Sequence, residues 1–385
     1  MINGKQVIEI RKAGFVNKGA ELMLYAVLEK MKTEFPDAIF VMAPTSSAPY
    51  LKRAKLEFLQ KAQYWKKGFQ LGFFARIIPK EIREMYGIVL NKDIDIVIDA
   101  SGFSYSDQWG KFSCLEMADS SKRWKKNGAK VILMPQAFGP FEGRLNKFNI
   151  RRIVKNVDLI FARDNLSFKY LITTSNKNSK IKMAPDFTNL LKGKIPKEFD
   201  LIHNQFCVVP NYRMIDKIDK KESDLYLPFM IEITKYLFEK GHKPFLLVHE
   251  GQNDKILAQK IRESVNPEIN IIEETNPIKI KGILGASSGS VGSRFHGLVS
   301  ALSQGVPALG TGWSHKYIML FEDYDFPEGL LDINMSKDKI HEKLDLILNV
   351  ESKALISNKI KIKSEILKQQ SRAMWELVFK ALKSD

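Results

Sequence analysis

Cysteine is nearly absent: the 385 residues include only Cys114 and Cys207. Two thiols build neither a disulfide framework nor a cysteine-rich zinc site, and they fit a reducing compartment. No run of 18 apolar residues occurs, so no membrane-spanning helix is expected. The opening MINGKQVIEIRKAG lacks the apolar stretch of a signal peptide. The chain has no G-x-G-x-x-G, no P-loop and no G-x-S-x-G, so the dinucleotide fingerprint, the phosphate-cradling loop and the serine nucleophile elbow are all missing. Helix-turn-helix, zinc-finger and RNP-like patterns are also missing, which argues against a nucleic-acid partner.

What is present is globular. Hydrophobic residues make up 44% and charged ones 27%, too apolar for a disordered chain, and the length suits about two domains. Charge is uneven. Residues 1–200 hold 35 Lys and Arg against 20 Asp and Glu, whereas residues 201–385 hold 25 against 24. Nearly all of the net +16 therefore lies in the first half. A field of one sign over one domain attracts anions such as phosphates or an acidic membrane surface.

Short β-branched apolar runs alternate with amphipathic stretches. Strands are predicted at 7–15, 38–43, 94–100, 130–134, 159–162 and 181–183, with helices at 19–35, 107–126, 144–156 and 165–174. A second series places strands at 207–210, 244–249, 269–273, 290–292 and 307–310, with helices near 224–239, 254–263, 277–284 and 297–304. Such alternation implies parallel sheets. The expected architecture is α/β, with two Rossmann-like domains, 1–195 and 196–353, facing a cleft, and a helical tail over 354–385. The Pro-containing, apolar-poor stretch 193–202 reads as the linker.

In open α/β sheets ligands bind beyond the C-terminal strand ends, so polar residues just after strands are the candidates. The strongest are Arg294 and His296, at a strand-to-helix turn that begins with Ser293. Helix amides favour an anion there, arginine offers a planar fork and histidine carries a proton near neutral pH. The alternative is a buried polar cap. Arg163 directly follows another strand, where function and surface pairing with Asp164 are equally served. Weaker loops are those holding Gly14, Asn17 and Gly19, then Ser101 and Gly102. His249, Glu250 and Asp254 form a polar trio with no partner histidine at ligand spacing, so no metal is expected. Lys316, in Trp313-Ser-His-Lys316, can meet a phosphate as a point charge. Cys114 and Cys207 read as core.

Taken together, the chain resembles the polysaccharide pyruvyl transferase family from about residue 5 to 320. The resemblance rests on Asn17-Lys-Gly19, Ala162-Arg-Asp164 with Ser167, Asp186, His249 with Asp254, Ser293-Arg-Phe-His296, Ala301-Leu-Ser-Gln-Gly-Val-Pro307 and Lys316. It departs from the family where Ala20 precedes Glu21 after the first loop's glycine, and where Ser101-Gly102 forms a thinner glycine turn. The resemblance implies a GT-B-like fold whose C-terminal helix packs back on the first domain. It implies transfer of pyruvate from phosphoenolpyruvate to two hydroxyls of one sugar, in cell-surface or exopolysaccharide synthesis, with no cofactor beyond phosphoenolpyruvate as co-substrate. In that reaction Arg294, Arg163 and Lys316 would hold phosphoenolpyruvate, His296 would act as acid or base, and Asn17, Gly19, Ser101, Gly102, His249, Ser293 and Phe295 would contact substrate.

Residues 50–83 interleave bases with aromatics, among them Lys52, Arg53, Lys55, Phe58, Lys61, Tyr64, Trp65, Lys67, Phe73, Phe74 and Arg76. A basic aromatic surface can lie on an anionic bilayer, which suits a lipid-linked acceptor and a cytoplasmic protein peripheral to the inner face of the cell membrane. Two other classes compete: a sugar-nucleotide glycosyltransferase gripping ribose with Glu273 or Glu274, and a non-enzymatic basic protein binding nucleic acid or membrane.

Overall fold

The computed structural model describes all residues except Met1, Asn3, Lys67, Gly68, Lys177, Trp313 and Asp385, and only the backbone of residues 65, 66, 69 and 70. The chain divides into two compact units, residues 1–187 with 370–385, and residues 188–369.

The first unit is built on ten strands: β1 (Val7–Arg11), β2 (Ile39–Met42), β3 (Leu59–Lys61), β4 (Trp65–Lys66), β5 (Phe69–Gln70), β6 (Ile88–Val89), β7 (Ile96–Asp99), β8 (Lys130–Gln136), β9 (Leu159–Ala162) and β10 (Ile181–Met183). Eight of them form one parallel sheet in the order β10-β9-β8-β7-β1-β2-β3-β6, and β4 and β5 pair antiparallel on their own. The chain runs outward from β1 to β6, then returns to β7 and runs outward on the other side. The order therefore reverses between β1 and β7, which is where an open α/β sheet leaves a crevice at its C-terminal edge.

Strands buried on both faces need apolar side chains throughout, and Ile96–Asp99 is fully buried. Strand β1 breaks that rule: Glu9 and Arg11 are 1% and 7% exposed. The predicted strand over 7–15 ends at Arg11, because Lys12 takes a left-handed φ of 59°. The predicted helix over 107–126 is a 3-10 turn, Asp107–Trp109, and then the helix Phe112–Lys126, separated by Gly110 at φ 73°.

The second unit holds β11 (Phe206–Val209), β12 (Pro244–Val248), β13 (Ile271–Glu273), β14 (Gly289–Gly292) and β15 (Ala308–Gly310). They form a parallel sheet ordered β13-β12-β11-β14-β15, with its reversal between β11 and β14. Residues 193–195, inside the stretch that composition marks as a linker, belong to this unit. Lys194 N donates to Ile278 O at 3.0 Å. A Cβ on Gly282 would lie 2.3 Å from the Lys194 carbonyl. Backbone cannot retreat as a flexible side chain can, so Gly282→Ala should cost at least the ~1–3 kcal/mol typical of overpacking. Urea denaturation of the variant checks this.

The last helix, Val350–Lys383, contributes Ile360 and Leu367 to the second unit's core. Its residues from Gln370 onward join the first unit. There Trp375 meets Phe187 edge-on with ring centroids 6.4 Å apart, and Phe379 meets Phe35 at 6.5 Å. No described helix is long and apolar enough to cross a membrane.

Candidate functional site

The second unit's reversal point carries the Ser293–His296 turn. Strand β14 ends at Gly292, Arg294 is the N-cap residue, and the helix Phe295–Leu302 follows. The turn is tied down from several elements. Ser293 O accepts from Asn211 Nδ2 at 2.6 Å and from the Tyr317 hydroxyl at 2.9 Å. Ser293 Oγ lies 2.8 Å from the Tyr226 hydroxyl. Burial of that phenol pushes its pKa up despite its hydrogen bond to Ser293.

Arg294 is 7% exposed and bound by carboxylates. Its Nε donates to Asp254 Oδ2 at 3.1 Å, its Nη2 reaches both Asp254 oxygens at 2.7 and 2.6 Å, and its Nη1 donates to Glu250. Asp254, wholly buried, also accepts from the backbone amides of Tyr212 and Glu250. The expectation that Arg294 offers an open fork to an anion therefore needs correcting. One guanidinium faces two carboxylates, so its charge is compensated within the protein. The geometry makes Arg294 the fastener joining the His249–Asp254 segment to the Ser293–His296 turn. His249 is 5% exposed, and its Cδ2 lies 3.8 Å from where a Cβ on Gly297 would stand.

His296 is half-buried in the first helical turn, its ring 5.3 Å from that of Phe295. Lys316 Nζ lies 5.3 Å from the ring centroids of both Phe295 and Tyr317. The structure thus gathers Ser293, Arg294, Phe295, His296, Lys316 and His249 around one turn. A cavity of about 410 Å³ shares Tyr317 with it and is also lined by Thr311, Gly312, Ser314 and His315. Trp313, from the same sequence segment, lies outside the described residues.

The first unit's predicted residues lie along its own C-terminal sheet edge. Asn17 caps the helix Lys18–Glu34, its Oδ1 accepting from Ala20 N at 3.0 Å, and Gly19 is buried in the first turn. Ser101 Oγ lies 2.7 Å from Asp99 and 2.5 Å from Gln136 Oε1, and Gly102 O accepts from Ala137 N. Arg163, 6% exposed, donates to Asp186 at 3.2 Å. Asp164 caps the next helix and does not pair with Arg163 on the surface: its carboxylate accepts from the Ser167 amide and hydroxyl at 2.7 and 2.9 Å.

Sequence reasoning missed the group behind Ser101. Arg11 Nε donates to Asp99 at 3.0 Å and its Nη2 to Glu116. Tyr105 donates to Asp99 at 2.7 Å, and Lys61 binds both Glu9 oxygens at 2.7 and 2.6 Å. Burial opposes the charge on Arg11 but the surrounding carboxylates prevail and raise its pKa; likewise burial of Glu116 is outweighed by Arg11 and Lys12, which pull it down to about 2. The available signal was two charges at alternate positions of an otherwise apolar strand, Val-Ile-Glu-Ile-Arg. Beside this group lies a cavity of about 760 Å³, at the end of β1.

Other expectations sort by burial. Cys114 and Cys207 are fully buried, and burial pushes the Cys114 thiol up to about 12. Glu274 accepts from the amides of Thr275 and Asn276 at 2.7 and 2.8 Å, and Glu273 pairs with Lys255 at 2.8 Å, so both proposed ribose grips already have protein partners. In the basic aromatic stretch, Arg53, Phe58 and Lys61 are interior, whereas Tyr50, Tyr64, Phe73 and Phe74 are 49–68% exposed. Lys67 and the side chains of Trp65, Lys66 and Phe69 lie outside what is described. Among the described residues, no three His, Cys, Asp or Glu side chains converge as metal ligands.

A profile of the polysaccharide pyruvyl transferase family matches residues 17–315. Among solved structures, the chain resembles a putative UDP-N-acetylglucosamine 2-epimerase from Listeria monocytogenes (TM-score 0.60, 16% identity, 99% of this chain and 97% of that one). It also resembles the UDP-GlcNAc 2-epimerase from Neisseria meningitidis bound to UDP-GlcNAc (TM-score 0.62, 11% identity, 97% and 100%) and Anabaena HepE in complex with UDP and glucose (TM-score 0.59, 12% identity, 99% and 100%). At these identities the likeness establishes the fold, which is GT-B-like.

Proposed function

The chain belongs to the polysaccharide pyruvyl transferase family, and from that premise we propose that it moves pyruvate from phosphoenolpyruvate onto two hydroxyls of one sugar, releasing phosphate. The methylene carbon of phosphoenolpyruvate gains a proton and becomes a methyl group. The neighbouring carbon forms two C–O bonds to the sugar and loses its bond to the phosphate oxygen. Of the two hydroxyl protons released, one balances the methyl group and the other leaves on phosphate.

One observation carries this reading: the second unit's reversal point gathers His296, a helix N-terminus and the Lys316 ammonium around a single anchored turn. Phosphoenolpyruvate is a compact polyanion, and preorganised amides and an ammonium suit it. His296 is a group there able to pass a proton to the methylene or take one from a hydroxyl. Arg294 holds this turn to Asp254 and Glu250. In the first unit, Arg163 is a second guanidinium at a strand end. The test is phosphate release from phosphoenolpyruvate across a panel of sugar acceptors, with nucleotide sugars assayed in parallel because the Neisseria structure holds UDP-GlcNAc and the Anabaena structure UDP and glucose. Release that depends on an acceptor supports the reading, and transfer from nucleotide sugars alone overturns it.

The acceptor side is proposed to meet a membrane. Tyr50, Leu51, Phe73, Phe74, Ile77, Met85 and Tyr86 are 49–74% exposed on the first unit, within the half that carries the charge excess. Each basic position near an anionic headgroup contributes about 1 kcal/mol. The protein should float with phosphatidylserine-containing liposomes at low salt and dissociate at high salt. Failure to float at low salt refutes the attachment.

A further inference from the structure

The cavity at the end of β1 has a property that its surroundings do not predict. The first half of the chain is strongly cationic, yet the charges at this cavity cancel. Glu9, Arg11, Lys12, Glu116 and Asp119 line it. Glu9 is paired with Lys61, Arg11 with Asp99 and Glu116, Lys12 with Glu116 at 3.7 Å, and Asp119 with Arg152. Counting these lining residues with the partners behind them gives four acids and four bases. A site built for phosphoenolpyruvate would need surplus positive charge, and this one has none.

The rest of the lining supplies hydrogen-bonding groups and an apolar face. Thr45, Ser47, Gln63 and Ser113 contribute hydroxyls and an amide, and Phe112, 67% exposed, presents an aromatic ring. The interior is stiff: Arg11 and Lys61 both lie over the Trp124 ring, at 5.0 and 4.8 Å from its centroid. Paired charges held in a fixed network have directional donors and acceptors but little net field, which favours a neutral ligand rich in hydroxyls over an ion. The volume, about 760 Å³, falls within the ~300–1,000 Å³ of small-molecule sites, and the cavity adjoins the sheet reversal between β1 and β7, where such folds bind ligands.

We propose that this cavity binds an uncharged pyranose ring, with the Asp119 carboxylate and Lys12 ammonium as hydrogen-bonding groups for its hydroxyls and Phe112 as the stacking face for its C–H face. Identifying that ring as the pyruvylated acceptor rests on the pyruvyl-transfer reading; the existence of a sugar site does not.

Saturation-transfer NMR separates the two. The probes are the methyl pyranosides of glucose, galactose, mannose, N-acetylglucosamine and N-acetylmannosamine, used with the full chain and without phosphoenolpyruvate. At least one glycoside should receive saturation, and its signal should fall at least fivefold in both Phe112→Ala and Asp119→Asn, with thermal unfolding of the variants unchanged. Added phosphoenolpyruvate should not displace it. Absence of binding by every glycoside, signals unchanged in the variants, or displacement by phosphoenolpyruvate would each overturn the site. In the turnover assay the same variants should raise the acceptor KM about tenfold and leave the phosphoenolpyruvate KM unaltered. Acceptor KM values that stay unchanged defeat the cavity while the reaction stands; glycoside binding without any phosphoenolpyruvate turnover defeats the reaction while the cavity stands.

Discussion

His296→Ala is expected to lower kcat for phosphate release by about 10²–10⁴-fold, the range over which a positioned acid or base acts, while phosphoenolpyruvate still binds. The two readouts divide because the groups proposed to hold the anion, Lys316 and the helix amides, do not depend on the imidazole. His296 follows Arg294 by two residues in a turn anchored through Ser293 O, so an alanine there leaves the anchors untouched. Direct titration of phosphoenolpyruvate, by calorimetry, and single-turnover phosphate release measure the two quantities independently. Near-normal turnover in the variant would remove His296 from the chemistry. Loss of binding with no loss of single-turnover rate at saturation would make it a binding residue.

Arg294→Ala should lose both turnover and phosphoenolpyruvate binding, and should also unfold more easily. Removing the guanidinium leaves Asp254 and Glu250 facing one another without their shared cation. Breaking a buried ion pair from one side costs about 3–5 kcal/mol because the remaining charge is stranded. Arg294→Lys should recover little of it, since an ammonium cannot reproduce the contacts that Nε, Nη1 and Nη2 make at once. Asp254→Asn should recover more of the stability when combined with Arg294→Ala than either single change predicts, because it removes one of the stranded charges. Urea midpoints of the single and double variants test this. An Arg294→Ala protein of unchanged stability would show that the clamp carries no energy and would return Arg294 to the role of a simple ligand for anions.

Much of the architecture was legible because it is written locally. The runs Ile-Val-Ile-Asp, Leu-Ile-Phe-Ala and Phe-Cys-Val-Val are short, largely apolar and each preceded by a polar residue, and each lies inside its sheet with a neighbour on both sides. The Ser293–His296 turn was found because a strand end and a helix start flank it within a few residues. Region 43–90 was not legible: its strands are two or three residues long, too short for alternation to register. The trio His249, Glu250 and Asp254 was recognised as polar and placed after a strand, but its partner was not, because Arg294 lies 40 residues beyond Asp254.

By itself, then, the sequence determined that this is a parallel α/β protein of two strand series, with a histidine at a strand end and its positive charge concentrated in the first series. Only the tertiary structure decided which charges meet. Strand β1 lies beside β7 although 88 residues separate Arg11 from Asp99, and the helix that brings Glu116 to Arg11 lies 105 residues away. Strand order is set by packing of crossovers over the whole sheet, and no local pattern encodes it. That is why a chain of net +16 holds a charge-neutral cavity at one reversal point and, at the other, an arginine whose charge is already balanced.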